Sequence, residues 1–221
     1  MRIENQRELV LKTAEKEKII AIVRGVESEE CLKVAQALYD GGIRMMEITY
    51  NQKSPESWEP TAKAIGAIAE HFQGKMLVGA GTVTTPELVE LTAKHGGLFI
   101  ISPDTNETVI RKTRELGLVS MPGAFTPTEV LQAHDAGADI VKLFPAGAGG
   151  SGYFKAICAP ISHVKIMAVG GITEKNAADF IAAGAVGIGV GGNLANLSWI
   201  EKGEFYKITE AAAALVAVVK R

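Results

Sequence analysis

Residues 126–145 read Thr126-Pro127-Thr128-Glu129-Val130-Leu131-Gln132-Ala133-His134-Asp135-Ala136-Gly137-Ala138-Asp139-Ile140-Val141-Lys142-Leu143-Phe144-Pro145. Threonine before proline marks a helix start, because the hydroxyl can accept from an orphan amide and proline's fixed φ suits the first turn. Gly137 then marks a helix end, where glycine takes the left-handed conformation without steric cost. Residues 140–145 are an apolar run of strand length, interrupted by Lys142. The stretch is one helix–turn–strand unit, with a helix over Pro127–Ala136. An ammonium in such a strand is costly unless it is paired or held neutral, and a neutral lysine is a nucleophile.

The same unit recurs along the chain. Strands are predicted at 19–23, 43–49, 76–80, 98–102, 117–121, 139–144, 164–169 and 186–190. Helices are predicted at Glu29–Asp40, Pro55–Phe72, Pro86–His95, Glu107–Leu116, Tyr153–Ala159 and Glu174–Ala183, besides the one already quoted. Thr85-Pro86-Glu87 repeats the threonine cap, and Gly41, Gly96, Gly117 and Gly184 repeat the left-handed stop. Strict alternation argues for a parallel sheet, and eight units argue for closure into a barrel. A doubly wound open sheet usually has fewer strands and places its phosphate loop after the first, whereas the glycine-rich turns here come late. The reading is an α/β protein, a single TIM (β/α)8 barrel domain over 1–221. An extra N-terminal helix near residues 4–17 would cover its bottom, and Ile208–Val219 would be the last outer helix.

The 221 residues are 47% hydrophobic and 22% charged, enough for one sizeable core. A formal net charge of -2 provides no cationic field for a phosphate backbone, so no nucleic-acid partner is expected. Met1 to Lys18 is charged throughout and reads as neither signal peptide nor membrane span, which makes the cytoplasm the expected location. Cys31 and Cys158 lack metal-ligand spacing and suit reduced thiols. His71, His95, His134 and His163 fall away from the strand C-terminal ends, and no His, Asp and Glu cluster occurs there, so no metal and no cofactor is expected. Gly147-x-Gly149-x-x-Gly152 and Gly187-x-Gly189-x-x-Gly192 match the dinucleotide pattern, but neither is followed by the acidic residue that ends a second strand.

Chemistry in such a barrel sits at the strand C-terminal ends. Arg24 ends the first strand and is either a clamp for a carboxylate or phosphate or a rim residue in a salt bridge. Glu47, between Met46 and Ile48, is either an acid–base group or the buried ion-pair partner of Lys142, because an unpaired buried charge is expensive. Thr82 follows Gly79-Ala80-Gly81 and offers a hydroxyl to a carboxylate, although the same run suits a tight turn. Pro103 and Phe144 supply apolar walls. Gly170-Gly171 and Gly191-Gly192 follow the last two strands, either as an anion cradle of backbone amides or as sites of close helix packing. A neutral lysine amine would add to a ketone and form an imine, an electron sink for cleavage of the adjacent carbon–carbon bond, with Glu47 moving protons. A phosphate-barrel isomerase or synthase, and a non-catalytic small-molecule sensor, are the competing readings.

Seven stretches in order, Ala21-Ile22-Val23-Arg24, Glu47-Ile48-Thr49, Gly79-Ala80-Gly81-Thr82-Val83, Ile101-Ser102-Pro103, Met121-Pro122-Gly123, Val141-Lys142-Leu143-Phe144-Pro145 and Val169-Gly170-Gly171-Ile172, resemble the 2-keto-3-deoxy-6-phosphogluconate (KDPG) and 4-hydroxy-2-oxoglutarate (KHG) aldolase family. The resemblance implies a metal-independent lyase that acts on a small-molecule 2-keto acid and releases pyruvate, commonly as a homotrimer. It makes Lys142 the Schiff-base lysine and Glu47 the general acid/base, with Arg24 and Thr82 on the pyruvate carboxylate and Pro103 and Phe144 lining the pocket. Gly170, Gly171, Gly191 and Gly192 would hold the distal phosphate. Three departures stand out. Thr49-Tyr50-Asn51-Gln52 lacks the arginine that some members have after the strand-two glutamate, so the clamp falls on Arg24. Val169 replaces the threonine of gluconate-type members, as in galactonate-type aldolases, and would contact the substrate. Gly192 or Asn193 stands where a phosphate-binding serine is usual.

Overall fold

The computed structural model of the chain describes residues 3–220. Strands β1 (Ile19–Val23), β2 (Met45–Thr49), β3 (Leu77–Gly81), β4 (Phe99–Ile101), β5 (Val119–Met121), β6 (Gly123–Ala124), β7 (Val141–Leu143), β8 (Ile166–Val169) and β9 (Ile188–Val190) form one sheet in the order β5-β4-β3-β2-β1-β9-β8-β7-β6. All pairings are parallel. The two ends of that order are consecutive in the chain. β5 pairs with β4 and β6 pairs with β7, and only Pro122 separates them. Proline cannot donate to a ladder, yet its carbonyl still accepts from the Lys142 amide at 2.8 Å. The barrel therefore closes through one strand bent at Pro122, and the nine segments make the eight expected units.

The helices are α1 (Ile3–Glu17), α2 (Cys31–Asp40), α3 (Trp58–Phe72), α4 (Pro86–Lys94), α5 (Glu107–Glu115), α6 (Pro127–Asp135), α7 (Ala146–Cys158), α8 (Ala177–Ala182), α9 (Leu197–Glu201) and α10 (Phe205–Val219). α6 carries a full capping box. The Thr126 hydroxyl accepts from the Glu129 amide at 3.3 Å, and the Glu129 carboxylate accepts from the Thr126 amide at 2.8 Å. Thr85 disappoints the same expectation, since its hydroxyl makes no capping bond to the backbone of α4. Helical backbone starts at Ala146 rather than Tyr153, but α7 is two helical pieces that meet at a kink, because Gly150, at φ 75 and ψ 173, is not helical. α8 is shorter than predicted and α9 was not predicted. Gly96, Gly117, Gly137 and Gly184 do take positive φ, but Gly41 sits at φ -77 and passes the left-handed position to Gly42 at φ 96. Gly41 is needed for another reason: a methyl there would lie 2.5 Å from the Ala212 Cβ of α10.

Alternate residues of a strand face one side, and in a barrel that stacks the interior in layers. The lower layer comprises Ile20, Met45, Leu77, Phe99, Val119, Ile140 and Met167, sealed from below by Val10 and Ala14 of α1. Two residues further along the strands come Ile22, Glu47, Gly79, Lys142 and Val169. Register holds this upper layer together: Ile22 pairs with Glu47 and Glu47 with Gly79. On the other side of the barrel Lys142 is partnered by Gly123 and Met167.

Candidate active site

Glu47 and Lys142 are 1% and 5% exposed, the most buried carboxylate and ammonium at this end of the barrel. Burial pushes the Glu47 carboxyl up from 4.5 to about 7, and the positive charges of Lys142 and Arg24 only partly offset it. Burial likewise pulls the Lys142 ammonium below its ordinary value; Glu47 opposes that, Arg24 adds to it and Asp104 opposes it. Among the described residues Glu47 Oε2 is buried without a hydrogen-bond partner. An orphaned buried acceptor of this kind costs about 1–3 kcal/mol and calls for a functional account. The site is shaped around it: a methyl at Gly81 would collide with Glu47 Oε2.

Lys142 Nζ lies 4.6 Å from the centre of the Phe144 ring. A cavity of about 340 Å³ opens above the amine, lined by Lys142, Phe144, Arg24, Val169, Gly170, Gly171, Gly191, Gly192 and Asn193, with Ile22, Ile172 and Gly189. Val169 is 2% exposed and packs in the barrel interior, so its isopropyl group is a wall of the cavity floor. Arg24 is exposed on the rim, and its Nη2 donates to Thr82 Oγ1 at 3.3 Å. Thr82 has φ 56, a left-handed backbone that costs a β-branched residue about 1–3 kcal/mol. Pro103 is half-buried at the end of β4 and packs towards Gly123, whose Cα leaves no room for a methyl against the Pro103 carbonyl. Pro103, like Glu47 and Thr82, is not among the residues that line this cavity, whereas Phe144 is.

Gly170 and Gly171 both have positive φ, at 87 and 74, a backbone that glycine adopts without steric cost. No backbone acceptor is paired with the Gly171 or Gly192 amide among the described residues. Close packing is also at work, because the Gly147 amide donates to the Gly170 carbonyl at 2.8 Å and a methyl at Gly147 would sit 2.9 Å from the Gly171 Cα. This contact accounts for Gly147, the first glycine of the dinucleotide-like motif; a Cβ at Gly152 would meet nothing within 4 Å. Asn193 ties the two glycine loops together, its Nδ2 donating to the Ile172 carbonyl at 3.2 Å. This leaves the Asn193 side-chain amide engaged with backbone rather than directed wholly into the cavity.

Two neighbours of the site escaped the sequence reading. Asp104 directly follows Pro103 at a strand end and shares the field of Lys142; burial raises its carboxyl and Lys142 opposes the rise. Its place after β4 was the available signal. Gln52, in the loop after β2, donates from Nε2 to the Thr82 carbonyl at 2.8 Å, a contact without any local motif. The histidines stand apart: His95 meets Glu59 at 3.2 Å, and the rings of His134 and His163 lie edge to face at 5.2 Å. Cys31 and Cys158 are free thiols, and burial pushes Cys31 up to about 12. Among the described residues no group of three His, Cys, Asp or Glu could hold a metal ion, and no helix is long and apolar enough to cross a membrane.

A model of the aldolase family described as KDPG and KHG aldolase matches residues 10–211. The chain is 40% identical over 177 residues to the 2-dehydro-3-deoxy-6-phosphogalactonate aldolase of Escherichia coli K12, covering 80% of this chain and 83% of that protein. It is 32% identical over 204 residues to the KHG/KDPG aldolase of the same organism, covering 91% and 92%. The KDPG aldolase of Legionella pneumophila, solved with pyruvate captured at low pH as a covalent carbinolamine, superposes with a TM-score of 0.81 at 28% identity, over 90% of this chain and 94% of that one.

Proposed function

We infer the reaction from one premise, that the chain belongs to the KDPG and KHG aldolase family and is a carbon–carbon lyase. We propose that it works as a metal-independent class I aldolase through an imine on Lys142. The observation that carries this reading is the pairing of a buried lysine held below its usual pKa with a buried carboxyl near neutrality that has no partner.

Desolvation leaves a larger share of Lys142 as free amine, whose lone pair adds to the C2 ketone of a 2-keto acid. The carbinolamine loses water to give the iminium. A base then takes the proton of the C4 hydroxyl, the C3–C4 bond breaks, and its electron pair passes into the iminium to form an enamine while C4 leaves as an aldehyde. The enamine recovers a proton at C3, and water hydrolyses the imine to release pyruvate and the lysine amine. Glu47, with a pKa of about 7, can both give and take these protons at neutral pH. Arg24 and Thr82 serve the C1 carboxylate at one edge. The amides of Gly170, Gly171, Gly191 and Gly192, with Asn193 holding the loops, serve a terminal phosphate at the other.

Within the family we favour 2-dehydro-3-deoxy-6-phosphogalactonate as substrate, cleaved to pyruvate and glyceraldehyde 3-phosphate. Identity is higher to the galactonate-type relative than to the KHG/KDPG aldolase, 40% against 32%, and Val169 offers no hydroxyl to the C4 epimer. We take the enzyme to be a cytoplasmic homotrimer, as family likeness suggests; light scattering decides the trimer. The decisive experiment is reduction with borohydride in the presence of pyruvate, which should add a reduced pyruvyl mass to the peptide holding Lys142. An unmodified Lys142 overturns the mechanism. Pyruvate release from the two phosphorylated C4 epimers and from 4-hydroxy-2-oxoglutarate then ranks the substrates, and faster turnover of the gluconate epimer reverses the assignment.

A further inference from the structure

Thr82 combines two features that rarely coexist: a β-branched side chain and a left-handed backbone, φ 56, directly after β3. Its hydroxyl faces the Arg24 guanidinium at 3.3 Å, so this unusual backbone is what places the hydroxyl on the rim. A conformation of this kind persists only where its surroundings over-determine it. The flanks of the turn are anchored by the barrel itself. The Tyr50 amide donates to the Gly81 carbonyl at 2.9 Å, the Val83 amide to the Ile101 carbonyl at 3.2 Å, and the Ser102 hydroxyl to the Val83 carbonyl at 2.7 Å. The Asn106 side chain reaches the Thr84 carbonyl at 3.4 Å. None of these touches Thr82.

The contact at Thr82 comes from Gln52. One end of its amide, Nε2, donates to the Thr82 carbonyl at 2.8 Å; the other, Oε1, accepts from the Thr84 hydroxyl at 3.0 Å. A single planar group thus spans the turn and holds both of its ends. Gln52 itself is exposed and contributes nothing to the core. Its loop is fixed in turn by the Trp58 indole, which donates to the Asn51 carbonyl at 2.9 Å. We propose that Gln52 is a positioning residue of the carboxylate subsite, a brace that keeps Thr82 in its left-handed conformation and its hydroxyl beside Arg24.

The inference rests on the reading of Arg24 and Thr82 as the place of the C1 carboxylate, and its test separates the two. Gln52→Ala should raise the KM for the 2-keto acid, and the pyruvate concentration that half-saturates borohydride trapping, by about tenfold, the equivalent of one good hydrogen bond. The trapped yield at saturation, kcat and the melting temperature should stay near wild type. Gln52→Glu, which keeps the acceptor for Thr84 but turns a carboxylate oxygen on the Thr82 carbonyl, should be at least as impaired. In a Thr82→Ala background, where no hydroxyl remains to be positioned, Gln52→Ala should add little further loss. Unchanged half-saturation in Gln52→Ala, or a loss that appears undiminished in the Thr82→Ala background, overturns the proposal while wild-type trapping at Lys142 still supports the aldolase. If wild-type protein is not trapped by pyruvate, the reaction itself is misassigned and the brace falls with it.

Discussion

The two inner layers of the barrel are built from the same strands and have opposite characters. Met45 and Glu47 stand on one side of β2, and Ile140 and Lys142 enter the same interior from β7 and the residue before it. In the lower layer every side chain is apolar and the floor is closed by Val10 and Ala14. In the upper layer Ile22 and Val169 keep the apolar character, but Gly79 leaves space and two ionisable groups, Glu47 and Lys142, are taken out of water. Hydrophobic burial below, about 25 cal/mol per Å² of apolar area, offsets the desolvation above. A barrel can thus separate stability from chemistry by a shift of two residues along a strand.

Lys142 carries the largest expected effect on activity. Lys142→Ala should lower kcat by about 10⁴-fold or more, because the nucleophile itself is gone. Its melting temperature at neutral pH should equal or exceed that of wild type, since a cation held below its usual pKa leaves the interior. A clear drop in melting temperature would mean that the upper layer also carries stability.

Glu47→Gln should lower kcat by roughly 10²–10⁴-fold. Its effect on stability has a definite sign. A carboxyl at 4.5 unfolded and about 7 folded favours the folded state while protonated, so that advantage is intact below pH 4.5 and lost as pH rises through 7. The loss amounts to about 3 kcal/mol. Denaturant titrations from pH 4 to 8 should show this fall in wild type and a flatter profile in the variant; equal slopes would contradict the burial argument.

Met45→Ala tests the other layer. Truncating a fully buried methionine should cost about 2–5 kcal/mol of stability and leave kcat of the folded enzyme near wild type. A kcat loss comparable to that of Glu47→Gln would show that the layers are mechanically coupled.

Much of this arrangement was legible in the sequence. Lys142 stood out because a lone cation in an apolar run violates strand composition, and Glu47 stood out for the matching reason on β2. The late glycine pairs were visible because glycine punctuates strand ends. Other features left no local trace. Pro122 looked like the end of the fifth strand, whereas it is a bend that lets one strand pair on both sides and close the barrel. The glycines from Gly147 to Gly152 precede the helix expected from Tyr153, yet helical backbone begins at Ala146 and breaks at Gly150. Gly41 read as a left-handed stop, but its requirement is contact with α10, far away in sequence. The engagement of Asn193 with Ile172 and the brace from Gln52 to Thr82 depend on loops from different strands meeting.

The repeating unit, the closed parallel architecture and most of the polar residues at the strand ends, though not Asp104, can be read along the chain, because periodicity, caps and turn residues act over a few positions. Closure of the barrel is what leaves Glu47 Oε2 without a hydrogen-bond partner among the described residues, puts Lys142 in the field of Asp104 as well as Glu47, and holds Thr82 left-handed beside Arg24. Burial, electrostatic coupling and backbone restraint at those positions are set by groups tens of residues away, which are brought within reach only when the barrel closes.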